Sequence, residues 1–372
     1  MIEIKEVKTK KDLKAFVKFP FKLYKDSTYW TPPIISEEIK TFNKKENPVF
    51  QDADAQLFLA YKNNNIVGRI AAITNNIEIE KQNIKKMRFG WFDFIDDLEV
   101  SKRLLETVQK IGNTHKLEYM EGPVGFSNLD KVGVITNGFD NLAPMVTWYN
   151  YAYYVKHYEA AGFKVEKSYS ENVFPFSNVK PEFFKKAQEL IKRRYALTAL
   201  KFTKTSEVMP YVDQMFDLFN DSYATLSSFV PINEIQKQYF KKKFISFINP
   251  EYIKFVVDKD NSLVGFAIVM PAFAKALKKV NGKLFPFGFR HILNAKKNSK
   301  DVVFYLIGIH PNYQNKGVHA VIFNEYYETF KEKNIETCYR TPELEDNHAI
   351  KQIWKHFNPE VYRQRKTFTK RL

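Results

Sequence analysis

The sequence predicts an α/β protein built from two copies of one unit, each a sheet of strands with helices between them. Three observations lead to this prediction. A hairpin pattern with an Asn-rich turn occurs twice, at residues 61–73 and 258–270, and the two segments match position for position. Strands and helices then follow both hairpins in a similar order. The chain has 372 residues, which is the length of two typical domains.

The first copy is predicted from alternating and helical apolar patterns. After the hairpin, these patterns indicate a strand at 89–95, a helix at 100–114, a strand at 119–122, the sequence Y-E-A-A-G-F at 158–163 and a strand at 169–176. Pro181 suits the first turn of a new helix, because its missing N–H would be unpaired there anyway. We therefore expect an N-terminal lobe of residues 1–178 and a C-terminal lobe of residues 179–372.

The second copy repeats the order with one addition. Its patterns indicate strands at 302–309, 335–340 and 362–368 and helices from residue 321 onward and at 347–355. A basic aromatic segment, residues 275–297, is inserted before the strand at 302–309. It is expected either to pack its aromatic rings against the first lobe or to contact a membrane surface, and we favour the packed alternative.

A polar loop joins the strand ending at Ile309 to the helix that follows. Its residues, Gln314-Asn315-Lys316-Gly317-Val318-His319, would present successive backbone N–H groups where the helix begins. Such N–H groups attract phosphate. The corresponding position of the first copy holds Asp96-Asp97-Leu98-Glu99, whose carboxylates would repel a pyrophosphate. Anion binding is therefore predicted for the second copy alone.

These residues resemble the GNAT acetyltransferase superfamily. Its acyl-coenzyme A signature, Q/R-x-x-G-x-G/A after an apolar strand, is similar to the stretch from Ile309 to Ala320, and its motif N-x-x-A-I-x-x-Y is similar to Asn347-His-Ala-Ile350 and the residues after it. The resemblance implies two tandem GNAT-like lobes, each an α+β mixed sheet whose fourth and fifth strands part to admit the cofactor arm. It implies cofactor binding by Ile309, Gln314, Asn315, Lys316, Gly317, Val318, His319, Ala320 and Asn347.

Two positions depart from the family pattern. His319 stands where Gly or Ala usually lets the helix approach the phosphate. Trp354 replaces the Tyr that commonly protonates the leaving thiolate, and indole supplies no proton at useful pH. These departures allow a GNAT-fold protein that binds its ligand without turnover as an alternative.

Candidate catalytic groups are few. Deprotonating an amine usually requires a carboxylate, and the nearest acids, Glu343 and Glu345, follow the strand at 335–340. The plainer interpretation is a loop that caps the next helix through Asp346 or Asn347. Tyr305 is a candidate proton donor, although a Tyr in such a strand is more often a core residue. Cys338, inside an apolar strand, is expected to be a buried thiol.

Composition limits the partners and the location. An apolar content of 44% excludes disorder as the main state. The net charge of +16 is consistent with nucleic-acid binding, but only ten of the 58 cations are Arg, and Lys spread over solvated faces is the simpler interpretation. A single cysteine and a charged start favour the cytoplasm.

The function expected from the sequence is acyl transfer. The resemblance implies an acyl-CoA-dependent N-acyltransferase, most simply an N-acetyltransferase, which uses acetyl-CoA or another acyl-CoA as co-substrate and no metal. The acceptor would be a small molecule or another partner that bears an amine. A tRNA-dependent aminoacyl-transferase-like protein is the second alternative, because some tandem GNAT folds transfer amino acids from tRNA.

Overall fold

A computed structural model describes residues 1–226, 229–245 and 248–372. Up to residue 175, its helices and strands are β1 (Ile2–Glu6), α1 (Lys10–Leu23), α2 (Ile35–Thr41), β2 (Ala53–Lys62), β3 (Asn65–Asn75), β4 (Lys86–Phe94), α3 (Leu98–Thr114), β5 (Tyr119–Gly122), β6 (Val134–Asn137), α4 (Tyr154–Ala160) and β7 (Lys164–Pro175).

The remaining helices and strands follow in the same alternating manner. They are α5 (Pro181–Tyr195), β8 (Thr198–Leu200), α6 (Thr205–Val208), α7 (Val212–Tyr223), α8 (Glu234–Phe240), β9 (Ile253–Val257), β10 (Leu263–Pro271), α9 (Ala274–Val280), α10 (Gly288–Asn298), β11 (Asp301–Ile309), α11 (Val318–Glu332), β12 (Thr337–Arg340), β13 (Glu343–Leu344), α12 (His348–Trp354) and β14 (Glu360–Arg371).

Both predicted hairpins are confirmed. β2 and β3 pair in antiparallel fashion around Asn63 and Asn64, which have φ values of 49° and 60°. Asn tolerates this left-handed conformation better than most residues, so the Asn-rich turn suits the tight connection. β9 and β10 form the second hairpin, whose turn includes Asn261 at φ 59°.

Contacts divide the chain into two compact units with the same strand pattern. Unit 1 contains residues 1–170, 274–289 and 362–372, and unit 2 contains residues 171–273 and 290–361. The strand order is β1-β2-β3-β4-β5-β14 in unit 1 and β8-β9-β10-β11-β12-β7 in unit 2. In each unit one pair is parallel, β4 with β5 and β11 with β12, and the other neighbouring pairs are antiparallel. Both units are mixed sheets, as the α/β prediction requires.

This division differs from the predicted boundary at residue 178 in three segments. The end of β7 pairs with β12 in unit 2, whereas β14, predicted as the last strand of the second lobe, pairs with β5 in unit 1. The first part of the predicted insertion, residues 274–289, also packs in unit 1. Sequence neighbours usually pair, so a linear boundary was the simplest expectation, but tertiary contacts decide where these segments pack.

Buried arginines explain why β14 packs in unit 1. Arg365 donates to the carbonyls of Gly133 and Trp148 at 3.2 and 2.6 Å, and Phe368 stacks on Tyr158 with ring centroids 4.5 Å apart. Such charged donors reach backbone acceptors that would otherwise be unpaired in the interior. A strand that reads as polar in sequence is therefore a buried part of unit 1.

Unit 2 has an aromatic core between its sheet and its helices. Phe304 of β11 lies 4.9 Å from Trp354, measured between ring centroids, and Trp354 lies 4.9 Å from Phe323 of α11. Cys338 is fully buried in β12, and burial raises the pKa of its thiol, so the core-thiol prediction is confirmed. The core fixes β11 and α11 relative to each other, and these two elements frame the candidate site.

Candidate functional site

The strands β11 and β12 pair at one end and part at the other. Their parallel pairing runs from Asp301 with Thr337 to Phe304 with Arg340 and then stops. Thr341 makes the last contacts, from its N–H to the Phe304 carbonyl at 3.3 Å and from its hydroxyl to the Tyr305 carbonyl at 3.4 Å. β11 continues to Ile309, paired on its other side with β10. The ladder with β12 thus does not extend along residues 306–309 of β11, which is the parting that the family resemblance implies.

Tyr305 marks the point where the strands part. The register between β10 and β11 shifts there, because Ile268 is opposite Leu306 whereas Val269 is opposite Phe304. Tyr305 is the extra residue of a β-bulge, and a bulge bends its strand and redirects the side chains around it. The half-buried Tyr305 therefore lies where the pairing of β11 with β12 ends.

The loop after β11 leads directly into α11, as predicted. Gly317 is the N-cap residue of α11 and has a φ of 78°, and no side chain caps this helix start. The backbone hydrogen bond at this helix start joins the Ala320 N–H to the Gly317 carbonyl. The N–H groups of Val318 and His319 lie before this bond in the chain. A helix start with this arrangement carries a partial positive charge and suits an anion.

The loop itself is held by local bonds. Tyr313 donates its N–H to the His310 carbonyl at 2.7 Å, and the Gln314 side-chain amide donates to the Ile309 carbonyl at 3.3 Å. The Lys316 ammonium lies 5.5 Å from the ring centroids of both Tyr195 and Tyr313. A cation therefore stands beside the uncapped helix start. Asn315, with φ 59°, is exposed in the same loop.

The comparable helix of unit 1, α3, starts differently. Asp97 is its N-cap, accepts from the Glu99 N–H at 3.0 Å and pairs with Lys62 at 2.8 Å. Its own carboxylate therefore occupies the position that an anion would take. The two helix starts thus differ, because α3 is capped by a carboxylate and α11 has no side-chain cap.

His319 is half-buried in the first turn of α11. Burial lowers the pKa of its imidazole, and His356 lowers it further. Its ring lies 6.3 Å from Phe323, one turn along the helix. The lowered pKa favours the neutral ring, which packs along α11.

The candidate acids have different environments. Glu343 forms a two-point ion pair with Arg340, with Arg340 Nε at 3.0 Å from Oε1 and Nη2 bonded to Oε2. Burial raises the pKa of the Glu343 carboxyl, and Arg340 opposes this rise without cancelling it. The contact described for Glu345 is made by its carbonyl, which accepts from Lys351. Both acids are half-buried, and Glu343 is the one whose carboxylate is held in an ion pair with Arg340.

Trp354 and Asn347 have structural roles that sequence analysis partly anticipated. Trp354 is 2% exposed, and the guanidinium carbon of Arg340 lies 4.5 Å from the centre of its indole. Its N–H is near Glu343 and lowers that pKa, but in the described part of the chain it makes no hydrogen bond of good geometry. Asn347 is the N-cap of α12 and accepts from the Ile350 N–H at 3.2 Å, so the capping interpretation is confirmed.

Tyr223, at the end of α7, is a residue that sequence analysis missed. Its hydroxyl donates to the Ile307 carbonyl at 3.1 Å, on the part of β11 that has separated from β12. Burial raises the pKa of this hydroxyl to about 12, the bond to Ile307 opposes the rise, and the Glu343 charge adds to it. Glu343, Tyr223 and Tyr305 therefore gather around the parted strands. Nothing in the sequence near Tyr223 indicates this, because Tyr223 lies 84 residues before Ile307.

Within residues 1–226, 229–245 and 248–372, no group of three or more metal-ligating side chains is assembled. The helices of that same part of the chain include none with the length and apolar character to cross a bilayer.

Comparison with known proteins defines the fold. No family model matches the chain. It has the fold of a solved tandem GNAT protein from the clavulanic acid biosynthesis pathway, with a TM-score of 0.59 and 10% identity over 100% of this chain and 98% of that one. The protein therefore has the tandem GNAT fold.

Two curated proteins are similar along most of the sequence. Protein YghO of Escherichia coli K12 is 23% identical over 372 residues, which cover 98% of this chain and 94% of YghO. The bacterial ceramide synthase of Caulobacter vibrioides is 25% identical over 313 residues, 83% of this chain and 80% of the synthase.

Proposed function

We propose that this protein is an acyl-CoA-dependent N-acyltransferase whose active site lies in unit 2. The observation that carries the proposal is the parting of β11 from β12 beside the uncapped start of α11 at Gly317. An extended amide-bearing chain would pair with the open edge of β11, and a pyrophosphate would accept from the first N–H groups of α11. The open strand edge alone, or the uncapped helix start alone, would not fit an acyl-CoA.

The residues that would hold the donor follow from the geometry. The N–H groups of Gly317, Val318 and His319 would face the pyrophosphate, with Gln314, Asn315 and Lys316 just before them in the chain. The Ala320 N–H already donates to the Gly317 carbonyl, so Ala320 would only line the site. Ile309 ends the open strand edge. The capping bond uses the side-chain oxygen of Asn347, so only its amide N–H groups would reach a ligand. When bound, the acyl-CoA supplies an activated acyl group.

Amide formation joins the amine nitrogen to the acyl carbon while the C–S bond breaks. An ammonium group must first lose a proton, a second proton leaves the nitrogen as the amide forms, and the thiolate takes up one. Glu343 would accept a proton from the amine, because its raised pKa makes it a stronger base than an ordinary glutamate. Tyr223 or Tyr305, at the parting point, would donate one to the thiolate.

The acceptor is proposed to be an amine on a long-chain molecule. The similarity to a protein named bacterial ceramide synthase, over 83% of this chain, supports this choice over small polar amines. The net charge of +16 makes tRNA the acceptor or donor to test against it.

Gly317→Ala tests the donor site. An alanine at φ 78° costs about 1–2 kcal/mol, and its Cβ would come within 2.5 Å of the Ile191 Cδ1, so either the Ile191 side chain or the loop must shift. We expect affinity for acetyl-CoA and palmitoyl-CoA, measured by calorimetry, to fall about tenfold or more. Gly162→Ala is the matched control, because Gly162 also has positive φ (77°) but lies in unit 1, where its Cβ would meet only Lys370 at 4.0 Å.

Turnover is tested separately by free-thiol release with a panel of amines. Thiol release with a long-chain amino alcohol would support the full proposal. Binding of acyl-CoA without release with any amine would instead favour a GNAT-fold protein that binds its ligand without turnover. The absence of acyl-CoA binding by the unaltered protein, or retention of tRNA that depends on salt, would contradict the proposal.

A further inference from the structure

Two phenylalanine side chains in the loop between α9 and α10 are mostly exposed to solvent. Phe285 and Phe287 are 78% and 64% exposed, although this chain has 34 phenylalanines and most of those in the described part of it are at least partly buried. An exposed phenylalanine gives up most of the free energy that burial of its ring would contribute. Two such rings within three residues form an apolar projection, which we call the Phe loop (residues 284–288).

The Phe loop is attached firmly to unit 1 rather than trailing from it. α9 buries Ala276, Leu277 and Val280, and the Gly282 carbonyl accepts from the Ile35 N–H at 3.0 Å. An added Cβ at Gly282 would lie 2.6 Å from the Phe21 ring, so the backbone there is in close contact with α1.

A lysine bond completes this attachment. The Lys278 ammonium donates to the carbonyls of Ser27 and Thr28. The segment before the two rings is therefore fixed by both apolar packing and polar bonds. The two rings are therefore exposed although the backbone before them is fixed by packing and hydrogen bonds.

The chain around the Phe loop is strongly cationic. Residues 261–300 contain seven lysines and one arginine and no aspartate or glutamate. Lys279 and Lys283, immediately before the loop, are exposed. The rings thus project from a segment without a single negative side chain in the surrounding forty residues.

We propose that the Phe loop docks unit 1 on the surface of an anionic lipid bilayer. Aromatic rings enter the boundary between headgroups and acyl chains, and neighbouring ammonium groups pair with lipid phosphates. The rings contribute apolar burial, and the ammonium groups contribute electrostatic attraction. A purely basic surface would suit nucleic acid equally well, but two exposed rings joined by Pro286 favour a bilayer. An exposed apolar pair without cations would suit a protein partner instead. The docking would be peripheral and independent of catalysis.

Vesicle flotation tests this docking with the full-length protein. We expect binding to vesicles of phosphatidylcholine with 30% phosphatidylglycerol and much weaker binding to pure phosphatidylcholine. Phe285→Ser with Phe287→Ser should weaken binding about tenfold or more, as should Lys279→Glu with Lys283→Glu. Leu190→Ser is the control, since Leu190 is 66% exposed in α5 of unit 2. Thermal melting of each variant reports whether it folds.

Each outcome decides the proposal. Retained vesicle binding by the folded double-serine variant would overturn it, as would equal binding of the unaltered protein to neutral and anionic vesicles or no binding to either. Retention of tRNA that the double-glutamate variant loses, without vesicle binding, would assign the cations to nucleic acid. Because flotation requires no acyl donor, its failure leaves the proposed transferase activity to its own test.

Discussion

Glu343 combines burial with an ion pair, and these two influences act on its proton in opposite directions. Burial is the larger influence and raises its pKa, while Arg340 lowers it. A carboxyl with a raised pKa loses its basic, deprotonated form at a higher pH than an ordinary glutamate does. We therefore predict that kcat falls as pH decreases through this raised pKa and that Glu343→Gln removes this acid limb and lowers kcat about 100-fold or more.

The pH profile distinguishes catalysis from support of the fold. Glu343→Gln leaves the buried Arg340 without its anion, so a thermal melt must accompany the kinetics. Glu345→Gln is the matched control, because it makes the same change at the neighbouring half-buried glutamate, and it should retain the acid limb. An unchanged profile in Glu343→Gln would exclude Glu343 as the base.

At the scale of elements, β14 is held in unit 1 by its pairing with β5 and by buried arginine side chains. Arg365 is fully buried and bonds the carbonyls of Gly133 and Trp148. We predict that Arg365→Met lowers the free energy of unfolding by about 2–4 kcal/mol, because two buried carbonyls lose their donors. Arg371→Met, in the same strand but exposed, should change it little. Equal denaturant midpoints for the two variants would contradict this role.

The sequence predicts helices, strands and turns more reliably than it predicts which of them pack together. The hairpins and the loop from Gln314 to His319 were predictable, because Asn-rich turns and a Gly at a helix start are local signals. The position of β14 was not, because the partners of Arg365 are backbone carbonyls, which carry no side-chain signature. Tyr223 was missed for a similar reason, since its partner on β11 is also a carbonyl.

At the scale of the molecule, each compact unit requires segments that are distant in sequence. A fragment of residues 1–178 contains most of unit 1 but lacks residues 274–289 and 362–372. We predict that this fragment shows no cooperative thermal unfolding, because the edge of β5 and the face that α9 covers are left in water. Joining residues 360–372 to it through a Gly/Ser linker should restore part of the transition. A cooperative melt of the unextended fragment would show that β14 is dispensable.

The position of β14 also determines when the sheet of unit 1 can be completed during biosynthesis. Unit 1 contains the first strands that leave the ribosome, yet the strand that completes its sheet beside β5 is made only after all of unit 2. The open edge of β5 must therefore wait through the synthesis of more than 200 residues, a period in which it is exposed to chaperones or to unwanted strand pairing. An early stop codon before residue 360 would damage the half of the protein that was translated first.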